Sequence, residues 1–208
     1  MSDPETSERR AAILAAAVRV FAREGFHACR VSDIAAEAQV GYGLVYHYFP
    51  SKEALLDTIF LERWGVMLDA IRAIDAGEPS AREKLAAIAS FIFESYRREP
   101  DLMKVIIVEV TRAANSFGAR HLDQIGEAYA LIGEILSEAI RRGEVRAQTD
   151  VRFAAMAFYG VIEQVLTGWI FGLLPAGEEH FDRTKQAAIE LVFDGLCGER
   201  GAQRRAGA

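Results

Sequence analysis

Residues 31–56 read VSDIAAEAQVGYGLVYHYFPSKEALL. Ser32 is placed to cap a short helix, Asp33–Ala38, by offering its hydroxyl oxygen to the first free amides. Gln39, Val40 and Gly41 then form a turn, and a second short helix runs from Tyr42 to about Tyr48. Ile34, Ala35, Val40, Leu44 and Val45 supply the small apolar contacts that hold two short helices at a steep angle. That is a helix-turn-helix, whose second helix is free to enter a major groove.

Outward from this segment the pattern stays helical. The chain has only five prolines, Pro4, Pro50, Pro79, Pro100 and Pro175, and each marks a helix boundary because proline lacks an amide donor and clashes with the preceding turn. Upstream, Ile13, Leu14, Ala17, Val18 and Phe21 form one stripe, with Ser7 as its N-cap and Gly25 as its stop. Downstream, Leu55, Leu56, Ile59, Phe60, Met67, Ile71 and Ile74 follow Pro50. Ser80 and Glu83 make a capping box. Asp101 caps a helix through Val105, Ile106 and Val110. Leu122, Ile125, Tyr129, Ile132, Leu136 and Ile140 recur at helical spacing until Gly143. Asp150 starts a segment that runs through Trp169, and Phe181, Ala188, Leu191, Val192 and Leu196 mark a last amphipathic helix. No alternating stretch bounded by hairpin turns occurs. The expected fold is all-α with about nine helices, an N-terminal three-helix reader followed by a larger helical domain.

The composition narrows the function classes. The 208 residues are 51% apolar and 26% charged, with a formal net charge of −6. That is an ordinary globular composition, long enough for one or two domains and a sizeable core. No uncharged apolar run of about 18 residues occurs, so no membrane partner is expected. The polar, acidic start MSDPETSERR is not a signal peptide. Cys29 and Cys197 lie far apart without metal-like spacing, which fits a reducing cytoplasm. The four histidines, His27, His47, His121 and His180, show no spacing with a nucleophile or metal ligands, and no G-x-S-x-G elbow occurs; no catalytic or metal site is expected.

The stretch VGYGLVYHYFPSKEALL, with the preceding helix and its Phe21-x-x-x-Gly25 ending, resembles the signature of TetR-family transcriptional repressors across the first quarter of the chain. The resemblance implies a recognition helix presenting Tyr42, Gly43, Leu44, Tyr46 and His47, with Lys52 beside a phosphate at the start of the next helix and Ser32 at the start of the preceding one. The chemistry agrees. Tyrosine hydroxyls and a histidine donate to phosphate oxygens, Lys52 adds a charge, and Gly43 permits close backbone approach. Tyr42 is a candidate for direct base contact, through a thymine methyl. Tyr48 and Phe49 read as core. Arg9, Arg10 and Arg30 either touch phosphates or are solvated.

The same resemblance implies a homodimer, with residues 151–174 and 178–197 pairing with their symmetry mates in a four-helix bundle. Gly160, Gly168 and Gly172 would allow close approach there, and Leu191, Val192 and Leu196 an apolar interface. The boundaries expected are a DNA-binding domain at 1–52, an effector and dimerisation domain at 53–199, and a flexible tail at 200–208. The stretches EVTRAANSF (109–117) and LSEAIRRGEVRAQTDVRFAAMAFYGVIEQVLTGWIFG (136–172) resemble the effector domain of the FadR-type branch, which represses fatty-acid degradation genes and leaves DNA on binding long-chain acyl-CoA. Candidate effector contacts are Phe91, Tyr96, Ile106, Glu109, Arg112, Phe158, Glu163 and Trp169, although such an apolar stripe also reads as plain core. Arg97, Arg98, Lys104, Arg112 and Arg120 are candidates for CoA phosphates or are simply paired and solvated. Glu163 faces either solvent or a ligand's polar end.

The expectation is a cytoplasmic, non-enzymatic repressor that binds operator DNA as a dimer, with no cofactor and an acyl-CoA effector. A regulator of efflux or of another catabolic system, answering a different hydrophobic molecule, is one alternative. A helical lipid-binding protein or acyl-thioester enzyme without DNA binding is another. The acidic total does not exclude DNA: residues 1–52 carry six basic and six acidic groups, and the remaining 156 residues hold the whole −6.

Overall fold

The proline and glycine punctuation is realised as helix ends. The computed structural model describes residues 4–110, 121–175 and 177–196, and among them every regular element is a helix. The order is α1 (Pro4–Glu24), α2 (Val31–Glu37), α3 (Tyr42–Tyr48), α4 (Lys52–Asp75), α5 (Ala81–Arg98), α6 (Pro100–Lys104), α7 (Leu122–Arg141), α8 (Val151–Ile170) and α9 (Glu178–Leu196). A single π-helical stretch, Val105–Val110, continues α6.

Several caps follow the sequence. Gly25 (φ 81°) closes α1 with its amide 2.9 Å from Phe21 O, and Gly143 (φ 74°) follows α7. Ser80 N and Glu83 N bond reciprocally to the side chains of Glu83 (2.9 Å) and Ser80 (3.4 Å), and Asp150 Oδ1 accepts from Phe153 N at 3.0 Å. Others are corrected. Helix α1 begins at Pro4, upstream of Ser7, because a proline at the first helical position loses no hydrogen bond. Helix α6 begins at Pro100 with Glu99 as N-cap, for the same reason, and Asp101 lies inside it. Helix α2 has Arg30 as N-cap: the Asp33 carboxylate reaches back to Arg30 N at 2.8 Å, leaving Ser32 in the first turn.

The chain forms two compact units. The first comprises residues 1–65 and 99–120, so it extends past residue 52 and takes in a segment from the middle of the chain. Ile13, Ala17, Val20 and Phe21 of α1 form its core with Ile34, Val45, Leu55, Phe60 and the buried Met103, Val105, Ile106 and Ile107. Ile106, expected to line an effector site, is part of this core. The second unit comprises residues 66–98 and 121–208, where α5 packs on α7, α8 and α9 around Ile88, Phe93, Ile132, Leu136, Phe158 and Leu166. Helix α8 has the length and apolar composition of a membrane-crossing helix, but its inner face is core.

Candidate nucleic-acid interface and effector core

The left-handed position of the turn between α2 and α3 is not a glycine. Gln39 occupies the left-handed region (φ 56°), while Gly41, at φ −65° and ψ 140°, is the N-cap of α3. Val40 N bonds to Ala35 O (3.0 Å) and Gln39 N to Ala36 O (3.1 Å), the paired pattern of a Schellman ending. Helix α3 is pinned inward by Val45 and followed by buried Phe49, with Leu44 and Tyr48 half-buried. Its outward face carries Tyr42, Gly43, Tyr46 and His47, all exposed. The rings of Tyr42 and Tyr46 lie 5.1 Å apart, and their hydroxyls share a hydrogen bond at 3.2 Å. That bond, with a smaller contribution from Glu53, holds the Tyr46 phenol above its ordinary value, so it stays a neutral donor. Among the described residues no atom lies within 4 Å of a Cβ built on Gly43, so none of them requires glycine there.

The cations of this unit are largely committed. Arg9 pairs with Glu5, Arg10 with Glu62 (2.8 Å), and Arg63 with Glu99 (3.0 Å). Glu37 takes both Arg19 (2.7 Å) and Arg23 (3.3 Å), and the Arg19 bond above all holds its carboxyl below the usual range. Lys52, expected beside a phosphate, turns its ammonium group to main-chain oxygens. Its Nζ donates to Phe26 O (2.6 Å) and Cys29 O (3.1 Å), lies 3.4 Å from His27 O, and stands 4.6 Å from the centre of the Phe26 ring. Arg30, exposed at the start of α2, is the arginine of this unit with no carboxylate partner among the described residues. Ser32 is exposed beside it, its hydroxyl 3.4 Å from Asp33 Oδ1.

In the second unit, an aromatic cluster gathers around Trp169. Its ring stacks on Phe181 (4.6 Å, 16°) and Tyr96 (5.5 Å, 18°) and meets the edge of Phe93 at 5.2 Å. The indole N–H is buried without an acceptor among the described residues. Of the candidate effector residues, Tyr96 and Trp169 are thus brought together, Phe158 is buried core and Phe91 is half-buried on α5. Half-buried Glu163 acts on two phenols that meet edge to face at 5.8 Å, Tyr129 and Tyr159. Burial first, and the Glu163 charge second, push both phenols upward. The side chain of Glu109 and all of Arg112 and Arg120 lie outside the described residues. Arg97 pairs with Glu94 (2.6 Å), and Lys104 donates to Ala22 O (2.7 Å) within the first unit. The sequence reading did not single out Phe181 or Tyr129 for this region; Phe181 lies twelve positions after Trp169, beyond any single-helix pattern.

Helix α8 leaves one face uncovered, carrying Phe153 (70% exposed), Met156, Ala157, Gly160 and Gln164, and Leu191 on α9 is also 70% exposed. Gly160 belongs to that open face. Gly168 instead accommodates Leu174, whose Cδ1 would lie 2.7 Å from an added Cβ, and Gly172 (φ 68°) ends α8. Those two glycines serve their own chain. Among the described residues, no cluster of His, Cys, Asp or Glu is assembled that could hold a metal.

Comparison with known proteins adds an independent line. Residues 13–59 match the family model described as bacterial regulatory proteins, tetR family, and residues 60–190 the one described as YsiA-like protein, C-terminal region. The fatty acid metabolism regulator protein of Bacillus subtilis is 30% identical over 187 residues, spanning 88% of this chain and 93% of that protein. The crystal structure of the Bacillus subtilis transcriptional regulator FadR in complex with stearoyl-CoA superposes with a TM-score of 0.80 at 27% identity, over 89% of this chain and 98% of that one. The fatty acid degradation regulator FadR of Bacillus halodurans gives 0.79 at 26% identity over the same shares.

Proposed function

The chain belongs to the tetR family of bacterial regulatory proteins, and on that premise we propose that it is a dimeric repressor released from operator DNA by long-chain acyl-CoA. The observation that carries this reading is the extent of the similarity: it runs through both parts of the chain and spans 98% of a regulator solved with stearoyl-CoA. An acyl chain gains about 0.8 kcal/mol for each methylene it buries, so a tail of this length suits a large apolar core. The aromatic cluster of Tyr96, Trp169 and Phe181, with the unpartnered indole N–H, supports an effector contact there.

The reader is α3, entering the major groove with Tyr42, Gly43, Leu44, Tyr46 and His47. Tyr46 and His47 bond phosphates, Ser32 and Arg30 reach the backbone from α2, and Tyr42 meets a base edge. Lys52 contributes from the start of α4 by fixing the loop before α2. The uncovered face of α8, with Leu191 of α9, takes a second copy of the chain. That spaces two readers about 34–36 Å apart, one turn of DNA. Acyl-CoA bound in 53–199 favours a dimer geometry with the readers mis-spaced, and each tenfold loss of operator affinity needs about 1.4 kcal/mol of preference for that geometry. The protein works in the cytoplasm and leaves its effector chemically unchanged.

The test is fluorescence anisotropy on an operator fragment recovered by the protein from its own genome, titrated with stearoyl-CoA. Release of DNA with the thioester intact is expected. Binding unaffected by saturating stearoyl-CoA would remove the acyl-CoA effector and keep the repressor.

A further inference from the structure

We propose that Lys52 and Lys104 are positioning residues for the DNA-reading helices, acting through the backbone of residues 22–29 and not through contact with DNA. The inference rests on the reading of α2 and α3 given above. An ammonium group has three protons. Those of Lys52 face three carbonyls, Phe26 O, His27 O and Cys29 O, and its charge stands over the Phe26 ring. Lys104 Nζ takes Ala22 O, one of the last-turn carbonyls of α1 that lacks a helical amide. Two lysines therefore hold four carbonyl oxygens within eight residues, and that segment leads directly into Arg30 and α2.

The two lysines come from informative places in the chain. Lys52 opens α4, the helix along which the chain leaves the first unit, and Lys104 lies on α6, in the segment by which it returns. A displacement of either helix is thus applied to main-chain atoms just before the reader. Such a pull moves α2 and α3 together, because the Schellman ending and the apolar contacts of Ile34 and Val45 join them. A lysine on a phosphate would transmit nothing of this kind; it would add only its charge to binding.

The two roles separate in salt dependence. The variants are K52M and K104M, which keep most of each stem and remove the ammonium group. Affinity is measured for a DNA fragment that the wild-type protein selects from a random-sequence pool, between about 50 and 200 mM salt. Each variant is expected to bind at least about tenfold more weakly, with the slope of log K against log salt unchanged. Amide exchange should quicken within residues 22–37 while α7 and α8 keep their protection. A slope reduced by about 0.9 per subunit in K52M would mark a lost phosphate contact and overturn the proposal, as would wild-type exchange across 22–37 in both variants. If K52M fails to fold, K104M carries both measurements. Should the wild-type protein select no DNA, the DNA-reading proposal falls, while the exchange data still decide whether the lysines hold the loop.

Discussion

Replacing Gln39 by glycine should stabilise this protein, against the usual direction of substitutions in a folded chain. Gln39 stands at φ 56° between α2 and α3, where an L side chain costs roughly 1–2 kcal/mol through crowding of its Cβ against the following carbonyl. Its side chain is exposed and makes no hydrogen bond among the described residues, so little is lost with it. Glycine removes the crowding but has more conformational freedom to lose on folding, about 0.5–1 kcal/mol. The net gain is about 0.5–1 kcal/mol, which for a chain of this size raises the melting temperature by about 1–4 °C. Valine, branched at Cβ and least tolerant of this region, should lower it. The assay is calorimetric melting of Q39G, wild type and Q39V under one buffer, with that order expected. A Q39G protein melting below wild type would refute the reasoning, since it would mean that the turn is not held left-handed.

The dimer proposal makes M156E a monomer by light scattering, with operator affinity falling as half-sites bind singly; an unchanged dimer would place the interface elsewhere. W169A, removing a side chain stacked on Tyr96 and Phe181, should cost about 3–5 kcal/mol in denaturant unfolding. In W64F, Trp169 remains as the only tryptophan, and its emission should shift when stearoyl-CoA binds; no shift would move the ligand away from the cluster. Glu37, Glu83 and Glu138 have carboxyls held low, chiefly by bonds from Arg19, Ser80 and Arg142 respectively. Their folded values lie below the unfolded value of about 4.3, so their stabilisation is present above it and is lost as pH falls through the depressed values. Melting temperature should therefore drop below about pH 4.3, less steeply in E37Q/E83Q/E138Q; equal slopes would show these pairs to be inert.

The sequence was most legible where a signal and its partner lie within one turn. Ser80 with Glu83, Asp150 before α8, and Gly25 and Gly143 after their helices all act over three or four residues, and each end is found as read. Legibility failed where partners are distant. The place of Lys52 at the start of a helix does not show that its ammonium group meets carbonyls 23 to 26 residues earlier. Arg19 and Arg23 enter the sequence only as part of a charge count, and it is Glu37 of the next helix that takes both. The turn is legible over Gln39, Val40 and Gly41, but not which of the three is left-handed: that residue is Gln39. Ile106 read as cavity lining, since periodicity marks an inward face without saying which core it enters.

The interruption of the first unit by the rest of the chain limits how this protein can be taken apart. Residues 103–107 bury Met103, Val105, Ile106 and Ile107 in the unit that contains α1 to α3, and Lys104 ties that segment to Ala22. A fragment ending near residue 60 would present this apolar surface to water and lack one of its tethers. Hybrid regulators cut at that point should express poorly, whereas hybrids that also exchange residues 99–110 should retain a reader able to fold. On a ribosome the same dependence delays completion: α1 to α3 wait until residues 103–107 have been made before their core can close.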